Sequence, residues 1–243
     1  MPDIHLGLAA YLVALAAVSV GATVQGTLGF GANLLAVPVV ALLEPAALPT
    51  TTAVIVFPLA AGMTVAEHHH VDWWGVTWLL VGRLPGTVIG VAVVALVAPS
   101  TLSVLTGLAV LVAVAVSVAR ATVPVNRETT LAAGVASGAM GTATSIGGPP
   151  LALLYQHHEG PVLRSTLAVV FGVGTLISIA GLAVAGEVHG WQVQLALALV
   201  PGIGVGLVAG RFLARRLDAR WLRPAVLAVA AVAAVLAIVN GLW

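Results

Sequence analysis

The sequence has no cysteine and no lysine, and only 7% of its 243 residues are charged. The missing cysteines exclude disulfides and thiolate metal sites without pointing to a compartment. So little charge excludes an ordinary water-facing surface, since soluble domains carry roughly a quarter charged residues. A formal net charge of +1 gives no basic surface for a nucleic-acid partner. The apolar runs also lack the period-two alternation that the strands of a membrane barrel need.

What remains is 60% hydrophobic. Apolar stretches between polar punctuation lie near 4–24, 33–43, 50–66, 73–97, 101–119, 129–142, 146–156, 165–186, 191–212 and 222–242. Most are long enough to cross roughly 30 Å of hydrocarbon at about 1.5 Å per helical residue. The chain therefore reads as all-α, a polytopic membrane bundle forming one transmembrane domain over 1–243. Its start, Met1-Pro2-Asp3-Ile4-His5, lacks the basic residues of a cleaved signal peptide, so the first apolar run is expected to stay as a membrane helix. Segments 33–43 and 146–156 reach only about 16 Å and read as broken or re-entrant half-helices.

The sequence matches itself. Gln25-Gly26-Thr27-Leu28-Gly29-Phe30-Gly31 aligns with Ser137-Gly138-Ala139-Met140-Gly141-Thr142-Ala143 at an offset of 112, which also puts Asn33 on Ser145 and Pro38 on Pro150. Pro85-Gly86-Thr87-Val88-Ile89-Gly90 aligns with Pro201-Gly202-Ile203-Gly204-Val205-Gly206 at an offset of 116. Two ordered matches indicate two repeats, about 4–119 and 129–242, of five segments each.

Arginine carries the whole orientation signal. Arg211, Arg215, Arg216, Arg220 and Arg223 make the 211–223 loop cytoplasmic, whereas the equivalent Ala98–Ser103 loop is uncharged. Counting outward puts Arg120, Arg127 and Arg164 inside and both termini outside. An odd number of crossings per half makes the repeats inverted, an arrangement that suits alternating access.

The glycine-rich breaks 26–33 and 141–150 sit where the half-helices begin. Asn33 and Ser145 are N-cap residue types, and Pro149 suits a first helical turn. Irregular backbone at that depth must line protein or a water-filled cavity, and helix N-termini there attract anions. The candidate substrate contacts are Gln25, Gly29, Gly31 and Asn33 in the first half, and Thr142, Thr144, Ser145, Gly147, Gly148 and Pro149 in the second. A plainer reading is that the glycines only let helices pack closely.

The Gln25–Pro38 and Gly138–Pro150 pair resembles the two glycine-rich signatures of the sulfite exporter TauE/SafE family. The Val71-Asp72-Trp73 start and the Pro85–Gly90 and Pro201–Gly206 runs add to the likeness, which spans nearly the whole chain. The resemblance implies a secondary transporter of inverted-repeat fold that moves sulfite, organosulfonates or related small anions, commonly outward. The chain departs from the usual glycine triplet at Gly31-Ala32-Asn33 and at Thr144-Ser145-Ile146.

Arg83 is the one arginine inside a span, near the midplane, and its counterpart Leu199 is uncharged. A lone cation at that depth needs a cavity or a partner. It reads either as counter-ion to an anionic substrate, its planar fork suiting oxyanions, or as a structural residue on helix-end carbonyls. His68, His69 and His70, with His157 and His158, are placed in cytoplasmic loops; a divalent-metal exporter built on them is the alternative function, although no helical i, i+4 pair appears. Glu44, Glu187 and His189 read as interfacial, and the six tryptophans mostly as membrane-interface anchors. Thr50-Thr51-Thr52 and Ser165-Thr166 open corresponding segments as caps or as lining of the route. No serine–histidine, paired-aspartate or helical metal-ligand constellation lies at membrane depth, so neither an enzyme nor a cofactor is expected. The expected partners are the bilayer of a bacterial-type inner membrane and a small anionic substrate, and a homo-oligomer is left open.

Overall fold

The computed structural model describes residues 7–28, 31–118, 123–213 and 219–242. The described chain is helical, without a strand: α1 (Leu8–Leu28), α2 (Ala32–Leu43), α3 (Thr50–Glu67), α4 (Trp73–Leu96), α5 (Pro99–Val118), α6 (Arg127–Thr144), α7 (Gly148–Tyr155), α8 (Gly160–Val184), α9 (Gly190–Leu213) and α10 (Ala219–Leu242). Each helix falls on one expected segment. The largest displacement is at α8, which starts at Gly160 rather than near 165. Pro161 suits that first turn, where a missing N–H costs nothing, so Arg164 belongs to the helix and not to the loop.

Among the described residues, five helices are long and apolar enough to cross a membrane, over 8–26, 73–96, 99–118, 160–184 and 190–210. With 12 and 8 residues, α2 and α7 rise only about 18 and 12 Å, well short of roughly 30 Å of hydrocarbon. Each doubles back along the helix before it. Gly21 of α1 lies so close to Ala32 that a Cβ would overlap the Ala32 carbonyl, and Gly147 lies against Ser137 and Gly141 of α6. The reversals use left-handed backbone at Gly31 (φ 111°) and Ser145 (φ 58°). Glycine takes that conformation freely; serine does so at a cost.

Helices α4 and α6 touch backbone to backbone. A Cβ on Gly82 or Gly86 would overlap the carbonyls of Leu131 or Val135, and one on Gly134 the carbonyl of Leu79. The same closeness joins α9 to α1, where Gly206 lies on the Ser19 carbonyl. Lipid offers no hydrophobic drive between helices, so small residues four apart let dispersion and close backbone contact hold the pairs. Gly86 of the Pro85–Gly90 run and Gly206 of the Pro201–Gly206 run thus serve close helix packing.

The packing pairs repeat across the chain. Helix α3 meets α8 and α5 meets α10, while α4 on α6 is answered by α9 on α1, α4 on α8 by α9 on α3, and α7 on α5 by α2 on α10. A core including Val37, Val40, Leu59, Val110, Leu199 and Ala234 fills the centre. The outer faces are apolar as well: Val81, Leu84, Val88 and Ile89 of α4 and Leu197, Val205 and Val208 of α9 are exposed. A belt of that kind is costly in water and suits acyl chains. Trp73 and Trp74 stand exposed at the start of α4, and Arg127 stacks over Trp78 at 4.1 Å, joining the second turn of α4 to the start of α6. The first residues, 1–6, lie outside the described residues. So do Arg120 and the side chains of 211–223, on which the orientation argument rests.

Candidate functional site

The start of α2 is capped from α1. The Oε1 of Gln25 accepts the amide of Ala32 at 3.1 Å, satisfying one orphan donor of the half-helix. Asn33 is not the N-cap that its residue type suggests. It is the second residue inside α2, and its Nδ2 donates across the molecule to the Ser145 carbonyl at 2.6 Å. Nor does Ser145 cap α7. It ends α6 in left-handed backbone, and its hydroxyl donates to the Pro49 carbonyl at 3.0 Å and accepts from Thr52 at 2.9 Å. Helix α7 begins after Gly147 with Pro149 and Pro150 in its first turn. Prolines have no N–H, so this end offers the amides of Gly147 and Gly148 alone.

The two half-helix starts face one cavity of about 50 Å³, room for roughly four waters or one small ion. Gln25, Gly31, Asn33, Arg83, Ser145, Gly147, Gly148 and Pro149 all border it. Leu34, Ala53, Val56, Ile146 and Phe171 give it an apolar wall, and Gly141, Thr175 and Ser178 complete it. Two candidates stand elsewhere. Thr142 bonds Ser178 at 2.8 Å behind the cavity, and Thr144 bonds back to the Met140 carbonyl within α6. Gly29 lies outside the described residues.

Arg83 sits at the middle of α4 and is 3% exposed. Its Nη1 donates to Ser137 Oγ at 2.9 Å and its Nη2 to Ser178 Oγ at 3.5 Å, the second at the weak end of the range. Among the described residues its Nε has no partner, neither has Nε2 of Gln25, itself 4% exposed, and no carboxylate lines the cavity. Glycines make the room: a Cβ on Gly174 would overlap the guanidinium, and one on Gly141 would stand 3.1 Å from Nη2. Sequence reasoning missed Ser137, Gly174 and Ser178 as neighbours of Arg83. Ser137 was visible as the counterpart of Gln25, and Gly174 and Ser178 as a small pair four apart on α8.

The family model described as Sulfite exporter TauE/SafE matches residues 13–237. The chain belongs to the sulfite exporter TauE/SafE family. It is a multi-pass membrane transporter and not an enzyme. No curated protein and no solved structure matches it.

Two polar assemblies flank the cavity of this TauE/SafE chain. At the C-terminal end of α7, the Tyr155 hydroxyl donates to Asp72 Oδ2 at 2.7 Å, while Oδ1 of Asp72 caps α4 by accepting Gly75 N at 3.0 Å. The Asp72 amide donates to Thr166 of α8 at 3.0 Å. The half-helix is thus tied at its far end to the helix that carries Arg83. At the opposite end of α4, a larger cavity of about 380 Å³ is bordered by Leu48, Val97, Glu187, His189, Trp191 and Gln192, among others. The threonine run spans the gap between the cavities: Thr52 bonds Ser145, Thr51 bonds the Gln192 carbonyl at 3.0 Å, and Thr50 bonds that of Glu187 at 3.2 Å. The Gln192 amide donates in turn to the Ala46 carbonyl just beyond α2.

His68, His69 and His70 form an exposed 3₁₀ turn. Among the described residues no group of three or more histidine or acidic side chains could hold a metal ion, so the metal-exporter alternative gains no support here.

Proposed function

We propose that this TauE/SafE protein carries a small anion, a sulfur oxyanion or an organosulfonate, outward across an inner membrane by alternating access, and that the cavity at the half-helix starts is the binding site. The observation that carries the reading is that Arg83 and Gln25 both border that cavity, and each has a buried side-chain nitrogen, Nε and Nε2, with no partner among the described residues. A cation placed mid-membrane without a partner costs at least about 2.5 kcal/mol on insertion scales. An anion accepting from the guanidinium offsets that cost and gains charge-assisted hydrogen bonds. The amides of Gly147 and Gly148 and the dipoles of α2 and α7 add to the attraction. Free volume near 50 Å³ suits an inorganic oxyanion or the head of a short sulfonate whose tail meets Leu34, Val56 and Phe171.

The inverted-repeat arrangement, with repeats of 4–119 and 129–242, belongs to the same proposal. The exchange of packing partners between the halves supports it. So does the Asn33–Ser145 bond, whose partners are 112 residues apart, the offset of the sequence match. The arginine bias supports termini on the outer side.

The test is uptake into vesicles by purified protein, with labelled sulfite, methanesulfonate and acetate as probes. Saturable uptake of sulfite or the sulfonate, not acetate, is expected. Arg83→Leu removes hydrogen bonds to a charged group, together worth about 1.5–3 kcal/mol, and raises KM at least tenfold. Parental rate and affinity in Arg83→Leu would falsify the site.

A further inference from the structure

Resting on that reading of the site, we infer that the protein works as an anion exchanger: the loaded site reorients readily, the empty site slowly, so one anion leaves as another enters.

The argument starts from charge. Arg83 brings one full positive charge to the cavity, and its described partners, the hydroxyls of Ser137 and Ser178, are neutral. Among the described residues no aspartate, glutamate or histidine lines the cavity, and no carboxylate pairs with Arg83. A resident acid could neutralise the guanidinium whenever substrate left, by losing a proton or by swinging onto it. Here nothing in the wall can do that. The two groups left without partners are both donors, so they cannot satisfy each other either.

Alternating access requires the cavity to be shut from both sides at some moment. Shut around a monoanion, the site is neutral. Shut while empty, it encloses a bare guanidinium with room for about four waters. Charge in a low-dielectric enclosure is costly unless it is paired, so the empty shut state lies high and the loaded one low. An anion that binds the shut state better than the open ones lowers the barrier to crossing in both directions. Anion-for-anion exchange then outruns net flow. Because the loaded site carries no net charge with a monoanion, exchange also responds little to membrane voltage.

The experiment uses the full chain in vesicles and measures the initial uptake of labelled sulfite. One set of vesicles is preloaded with unlabelled sulfite and the other with gluconate. Preloading is expected to speed uptake at least tenfold, and Arg83→Gln to bring the two sets within twofold of each other, whatever its absolute rate. Gln25→Leu keeps the charge but loses one donor and the cap on the Ala32 amide, so it raises KM while the large ratio stays. Equal uptake in both wild-type sets overturns exchange and leaves anion transport standing. No saturable uptake in either set overturns both.

Discussion

Gly174→Ala adds one methyl group where the structure has no room for it. The new Cβ would stand 2.5 Å from Arg83 Cζ and 2.7 Å from Cδ, well inside carbon–carbon contact. Arg83 is 3% exposed and packed between α4, α6 and α8, so its guanidinium must swing by the better part of an ångström. A shift of that size breaks the 2.9 Å bond to Ser137 and displaces the guanidinium that borders the cavity. Overpacking of this kind costs about 1–3 kcal/mol of stability. Misplacing a charged donor costs another 1.5–3 kcal/mol in anion binding, roughly a 10- to 150-fold rise in KM. Gly172→Ala is the control, because its Cβ would meet only Ala60 at 3.9 Å. Sulfite uptake is therefore expected to show a KM raised at least tenfold in Gly174→Ala and unchanged in Gly172→Ala. Wild-type KM in Gly174→Ala, with the protein folded, would refute the confinement of Arg83 beside the cavity.

Tyr155→Phe loses the bond to Asp72 and is expected to cost about 1–3 kcal/mol. That lowers the melting temperature by several degrees; since Tyr155 does not border the central cavity, KM for sulfite should hold. Asn33→Asp replaces the donor facing the Ser145 carbonyl with an acceptor and adds a negative charge to the cavity wall, so it should impair sulfite uptake more than Asn33→Ala does, a ranking that initial rates will check. A cysteine at Ser100, in a chain with none of its own, should react with an impermeant thiol reagent from the outer side; reaction only from the cytoplasm would overturn the inverted arrangement.

Helix positions were legible because glycine and proline interrupt apolar runs wherever the chain turns, as at Gly31 and at Gly147-Gly148-Pro149. Such signals are local. The site's wiring is not. Asn33 and Ser145 have the chemistry of N-caps, yet tertiary partners outbid that role: the Ser145 carbonyl takes the Asn33 amide, and Gln25 reaches across the turn to cap Ala32 instead. Thr142 and Thr144 do not border the cavity, because α6 runs on to Thr144 where the sequence suggested an end by 142: the Thr142 hydroxyl meets Ser178 of α8, and that of Thr144 folds back on the Met140 carbonyl. Arg83 was legible as an oddity of composition. That Ser137, Gly174 and Ser178 converge on it from α6 and α8 depends on packing that no single stretch encodes.

The pairing of Asn33 with Ser145 has a consequence for how such a protein could arise. On the proposed two-fold relation, a pair of separate identical chains would bring the same residue to this point twice, and with it two copies of the central arginine. Two guanidinium groups around one space of about 50 Å³ would repel each other and would favour a doubly charged guest. Joining the copies in one chain frees each position to differ. Asparagine can then answer a turn carbonyl, leucine can stand at 199 opposite arginine at 83, and a single charge suffices for a singly charged guest.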